Sequence, residues 1–198
     1  MRHCEWLLVL IVAINWPGVA FAQTPEVLPR SLVGNCEACH GREGNSKSHL
    51  IPRINGQRPH YIVRRLDQLG EMTGRSRSAV SVAHAANIAD RLKSQLAQYF
   101  ADRVPTPAEK PYPSSRGAEI YRHGIPDRKI APCSTCHGIN GEGDGPIPRL
   151  AGQHQAYLKI RLDLLTGFIL PDGGAMHLAV ETVTPAEVDA ITSYLAAQ

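Results

Sequence analysis

Aromatic side chains and methionine are scarce in this sequence. Aromatic residues make up 6% of the 198 positions, and only three of them are phenylalanine. Methionine is as rare, at Met1, Met72 and Met176. Alternating apolar and polar runs of strand type are missing, which argues against half-buried β-strands. No Ser-His-Asp triad, carboxylate pair or phosphate loop stands out, so hydrolytic and nucleotide chemistry have no footing. The formal net charge is +3, too small a bias to mark a nucleic-acid binder. After residue 23 no apolar run is long enough to span a bilayer.

The one sustained apolar run is at the start. Arg2 and His3 precede the segment Trp6 to Ile14, and Ala20-Phe21-Ala22 offers a small-x-small cleavage site. This pattern predicts a signal peptide over residues 1–22 and a mature chain from Gln23. The expected location is the periplasm, with no membrane span in the mature chain.

Five cysteines are present, and Cys4 falls in the leader. The other four form two pairs, Cys36 with Cys39 and Cys133 with Cys136. In an exported protein such pairs ordinarily suggest disulfides. Here His40 and His137 follow the pairs directly. Cys-x-x-Cys-His is the signature of c-type haem attachment. Cysteines three apart occupy neighbouring helical turns and can each bond one vinyl group of the same porphyrin. The histidine is then held beneath the iron. A thioredoxin-like motif would need a βαβ pattern, and zinc would need a second ligand pair in each half.

The chain also repeats itself. Cys36-Glu-Ala-Cys39-His40-Gly41 matches Cys133-Ser-Thr-Cys136-His137-Gly138. Pro52-Arg-Ile-Asn-Gly-Gln57 matches Pro148-Arg-Leu-Ala-Gly-Gln153, Tyr61 matches Tyr157, and Tyr99 matches Tyr194. Two copies of one domain follow, at 23–103 and 114–198, with a proline-rich linker at 104–113. Ile62, Leu66 and Leu69, like Leu158, Leu162 and Leu165, recur at helical spacing. Thr184-Pro-Ala-Glu187 starts a closing helix through a capping box, with Val183 and Val188 as its staple. Its counterpart carries Leu92, Leu96 and Tyr99. The fold class is all-α. Units this small need extra apolar mass, which two covalently bound haem c groups supply. Pro52 and Pro148 are placed to accept a hydrogen bond from the second ring nitrogen of each histidine.

These residues resemble class I cytochrome c, and the tandem pair resembles the dihaem cytochrome c4 family over the whole mature chain. In the second half Gly117 to Tyr121 looks like the family's first helix, and Met176 lies where the family places its axial methionine. The resemblance implies two tandem class I cytochrome c domains, each wrapped round one covalent haem. It also implies periplasmic electron transfer, often to a terminal oxidase. The first half departs from the pattern. Its opening helix is nearly absent before Cys36, and the position of Met176 aligns with Val80 or Ser81.

The sixth ligand of the first iron is therefore open among His84, His49, Met72 and vacancy, with His84 preferred. His84 lies in Ala79 to Ala86, read as a loop of small residues. Met72 aligns with Phe168 at a helix end. The functional expectation is an electron carrier between a redox donor and acceptor. A haem enzyme with an altered first site, or a cytochrome subunit of a dehydrogenase, stays as an alternative. Residues 23–103 carry 12 Lys and Arg against 7 Asp and Glu, whereas 104–198 carry 8 against 10. An acidic partner is expected on the first domain, at Arg64, Arg65, Arg75 and Arg77.

Overall fold

A computed structural model describes residues 27–71, 79–107, 114–167, 180 and 182–198. The leader, Met72, Arg75, Arg77, most of the linker and Met176 lie outside the described residues. Among the described residues the regular structure is helical. Only isolated bridges, Ile125 to Ile130 and Asp144 to Ile147, have strand character. No helix there is long and apolar enough to cross a membrane.

The first domain contains the helices Arg30–His40, Pro59–Glu71, Ala79–Ala86 and Asp90–Ala101. Val33, Ile62, Ile88, Leu96, Ala97 and Phe100 form its core, with Leu66 and Tyr99 packed against them. The second domain contains Ser115–His123, the short helix Ser134–His137, then Gln155–Gly167 and Pro185–Ala196. Its core joins Ile120, Tyr121, Leu158, Leu162, Val188 and Tyr194. Of the residues expected on the apolar faces of the middle and closing helices, Ile62, Leu66, Leu92, Leu96 and Tyr99 lie in or against the first core, and Leu158, Leu162 and Leu165 in or against the second.

The opening and closing helices of the second domain cross at Gly117. A Cβ there would lie 2.0 Å from the Ala190 carbonyl oxygen. Glycine is required by this approach, and the rings of Tyr121 and Tyr194 then meet at 5.5 Å. The closing helix starts as its sequence predicts. Thr184 caps it by accepting from the Glu187 N–H, and the Glu187 carboxylate accepts the Thr184 N–H in return. The staple residues Val183 and Val188 are both buried.

One segment follows expectation and one departs from it. In the first domain the residues before Cys36 do not form a separate helix. They are the leading turns of the helix that carries the cysteines, Arg30–His40. Ala79–Ala86 is a helix rather than a loop. Four of its eight residues are alanine, the strongest helix former, so small residues build a helix here.

Glu187 also receives a charge-assisted bond from Arg128. That bond and the Thr184 cap hold its carboxyl at about 2 against an ordinary 4.5. A depressed acid stabilises the fold fully above its unfolded pKa and loses that contribution as pH falls through its folded one. Arg128 is one-third exposed, so solvent trims the effect to about 1–2 kcal/mol. Glu187→Gln should cost that amount at pH 6 in urea unfolding. The gap to the unsubstituted protein should close between pH 4.5 and 2.

Candidate haem sites

Cys36 and Cys39 sit on successive turns at the end of Arg30–His40, with Cys36 partly buried against the first core and Cys39 exposed. Cys133 immediately precedes Ser134–His137 and packs against the second core, while Cys136 is exposed. No disulfide joins either pair. Burial pushes the Cys36 thiol up to about 11, with Glu37 and Cys39 adding to the rise. Burial does the same for Cys133, also to about 11, with Cys136 adding. Redox-active Cys-x-x-Cys pairs need the opposite, a depressed thiol. No group of three or more His, Cys, Asp or Glu that could hold a metal ion gathers among the described residues. The thioredoxin and zinc alternatives lose their physical basis.

Each histidine ends its helix. The following glycine turns the chain, at φ 77°, ψ 165° for Gly41 and φ 83°, ψ 160° for Gly138. This region is essentially glycine-only. The chain then loops back in the same way in both domains. The Gly44 carbonyl accepts the Ile54 N–H at 2.9 Å, and the Gly141 carbonyl accepts the Leu150 N–H at 2.7 Å. These bonds set Pro52 and Pro148 beside the histidines. His40 Nδ1 lies 2.8 Å from the Pro52 carbonyl oxygen and His137 Nδ1 lies 3.0 Å from that of Pro148.

A carbonyl oxygen only accepts, so Nδ1 carries the proton and Nε2 keeps its lone pair for a metal. Burial holds both imidazoles below 6.5, against the opposing pull of the proline carbonyl. A neutral imidazole of fixed tautomer is what an iron ligand requires. The second site also offers a counter-charge. The buried Nε of Arg149 meets no acceptor within the protein. An unsatisfied buried donor of this kind costs about 1–3 kcal/mol, and a haem propionate would relieve it. The residues present fit haem c.

His84 lies in the last turn of Ala79–Ala86 with its side chain exposed. His49 stands in the loop before Pro52, its ring 5.3 Å from that of His154 in the other domain. Gln57, Gln153 and Arg149 carry site roles that the motifs alone do not assign. The repeated Gly-Gln and Pro-Arg pairs were the available signal.

The second half, residues 114–198, matches the family model described as cytochrome c. The chain is 34% identical over 168 residues to the cytochrome c4 of Thiocapsa roseopersicina, covering 82% of this chain and 86% of that one. It is 29% identical to the cytochrome c4 of Azotobacter vinelandii, covering 96% of each. The chain belongs to the cytochrome c4 family. It is a dihaem c-type cytochrome with covalently bound haem, and it works in electron transfer with redox partners. The fold agrees. The crystal structure of reduced recombinant cytochrome c4 from Pseudomonas stutzeri superposes with a TM-score of 0.74 at 23% identity, over 84% of this chain and 96% of that one.

The two glycines after the histidines should not tolerate alanine equally. A Cβ on Gly41 would meet the backbone oxygen of Asn45 at 2.5 Å. One on Gly138 would meet the carboxylate of Glu142, which can swing away. Backbone strain costs both about 1–3 kcal/mol. Gly41→Ala should therefore lose about 1 kcal/mol more than Gly138→Ala in urea unfolding, since overpacking against fixed atoms adds its own cost.

Proposed function

We propose that this chain is a periplasmic electron carrier in which each repeat attaches one haem through its own Cys-x-x-Cys-His. Cys36 and Cys39 bond the first haem and Cys133 and Cys136 the second. His40 and His137 are the proximal iron ligands. The observation that carries this assignment is the matched pair of Nδ1 contacts to Pro52 and Pro148. Met176 completes the second iron and His84 the first. The leader 1–22 is removed on export, and the domains divide at 23–103 and 114–198 around the linker 104–113.

Methionine ligation raises the potential relative to histidine. Electrons therefore run from the first domain to the second. The excess of basic residues in 23–103 favours an acidic donor there. Arg65 and Arg64 remain its described contacts. Arg64 is shared, because its guanidinium also donates to the Pro146 carbonyl of the second domain at 3.1 Å. The acceptor, a terminal oxidase or another redox protein, takes the electron from the second domain.

Intact mass of the denatured mature protein should exceed the chain from Gln23 by two haems, and a mass without them would sink the assignment. In the same preparation His84→Ala should turn one haem high-spin and leave the other unchanged. Two low-spin haems with unchanged potentials would remove His84 from the ligand set.

A further inference from the structure

The two repeats face each other through the loops that support the histidines. Gln153 Oε1 accepts the Arg53 N–H at 2.9 Å, and its Nε2 donates to the Arg53 carbonyl at 2.9 Å. The other half mirrors this. Gln57 Oε1 accepts the Arg149 N–H at 2.7 Å, and its Nε2 donates to the Arg149 carbonyl at 3.0 Å. Both glutamines are buried, at 6% and 7% exposure. Each amide oxygen also takes the N–H of the residue after its own, Arg58 or His154.

The Arg53 N–H belongs to the same peptide unit as the Pro52 carbonyl, which accepts from His40. The Arg149 N–H shares its peptide with the Pro148 carbonyl, which accepts from His137. A peptide that donates at its nitrogen becomes a better acceptor at its oxygen, because chained hydrogen bonds polarise one another. We propose that Gln153 and Gln57 are crossed positioning residues, each strengthening the hydrogen bond on the haem-ligand histidine of the opposite domain. The proposal rests on His40 and His137 being iron ligands.

The sign follows. A stronger bond at Nδ1 makes the imidazole more basic and favours ferric iron, which lowers the potential. Removing a glutamine should raise the potential of the other domain's haem. A glutamine that merely glued the domains would affect both haems alike. Only glutamine presents a donor and an acceptor on one planar head at this reach, so leucine of similar volume removes both bonds with little change in packing.

The test uses the full-length holoprotein and the variants Gln153→Leu and Gln57→Leu, with Gln→Met at the same positions should either fail to load haem. Intact mass of the unsubstituted protein first checks the haem reading separately. If that protein lacks two haems, the reading beneath the proposal is overturned rather than the coupling itself. With two haems present, each variant should raise one potential, and a different one in each case. The reduction equilibrium should change at least twofold, about 18 mV at 59 mV per tenfold for one electron. Histidine-labelled NMR of the reduced protein should show faster exchange of the His40 Nδ1 proton in Gln153→Leu and of the His137 proton in Gln57→Leu. Equal movement of both potentials in each variant, or loss of protection in the variant's own domain, would overturn the proposal.

Discussion

The bond from a ring nitrogen of histidine to a proline carbonyl organises both halves of this protein. It can form only if the chain stops its helix at the histidine and returns a dozen residues later at the right height. Gly41 and Gly138 provide the stop, and the carbonyls of Gly44 and Gly141 fix the return. The next link ties the same loop to the closing helix. Gly56 N–H donates to the Phe100 carbonyl at 2.8 Å and Gly152 N–H to the Leu195 carbonyl at 3.0 Å. The ligand histidine, its loop and the packed helices are therefore one mechanical unit, and that unit occurs twice.

The joint between the units is polar, and Arg53, Asn55, Gln57, Gln153 and His154 are buried in it. Besides the glutamines, Arg53 donates to the Gly152 carbonyl at 2.6 Å and His154 Nε2 lies 3.0 Å from the Ser46 carbonyl. The linker is drawn into the same joint. Thr106 donates to Asn45 at 2.8 Å, and Asn55 donates to the Val104 carbonyl at 2.8 Å. At Gly56 a Cβ would lie 2.4 Å from Pro105 Cγ, so the linker passes where only glycine leaves room. Buried polar groups are costly unless paired. A contact of this kind rewards one relative placement of the domains over neighbouring ones, and electron transfer between fixed cofactors depends on that placement.

Much of this was legible in the sequence because it is local. Cys-x-x-Cys-His, the glycine after it and the proline near residue 12 of the loop belong to one short stretch. Their physical roles follow from helix geometry and from what a carbonyl can accept. The capping box at Thr184 and Glu187 is local in the same sense. At Ala79–Ala86 the high helix propensity of alanine outweighs the small size that suggests a loop. The crossed glutamines were visible as a repeated Gly-Gln pair but not as partners. Gln153 and Arg53 are separated by a whole domain, and what joins them is the way two copies face each other. A single copy of the motif carries no information on that point.

Each repeat carries a redox-active haem on its own histidine. Anaerobic reductive titration of the purified mature protein, counting electrons against the visible spectrum, tests it most directly. Uptake of two electrons per chain is expected, with the c-type spectrum rising throughout the titration. Uptake of one electron per chain, or reduction without that spectral change in one half of the titration, would contradict it.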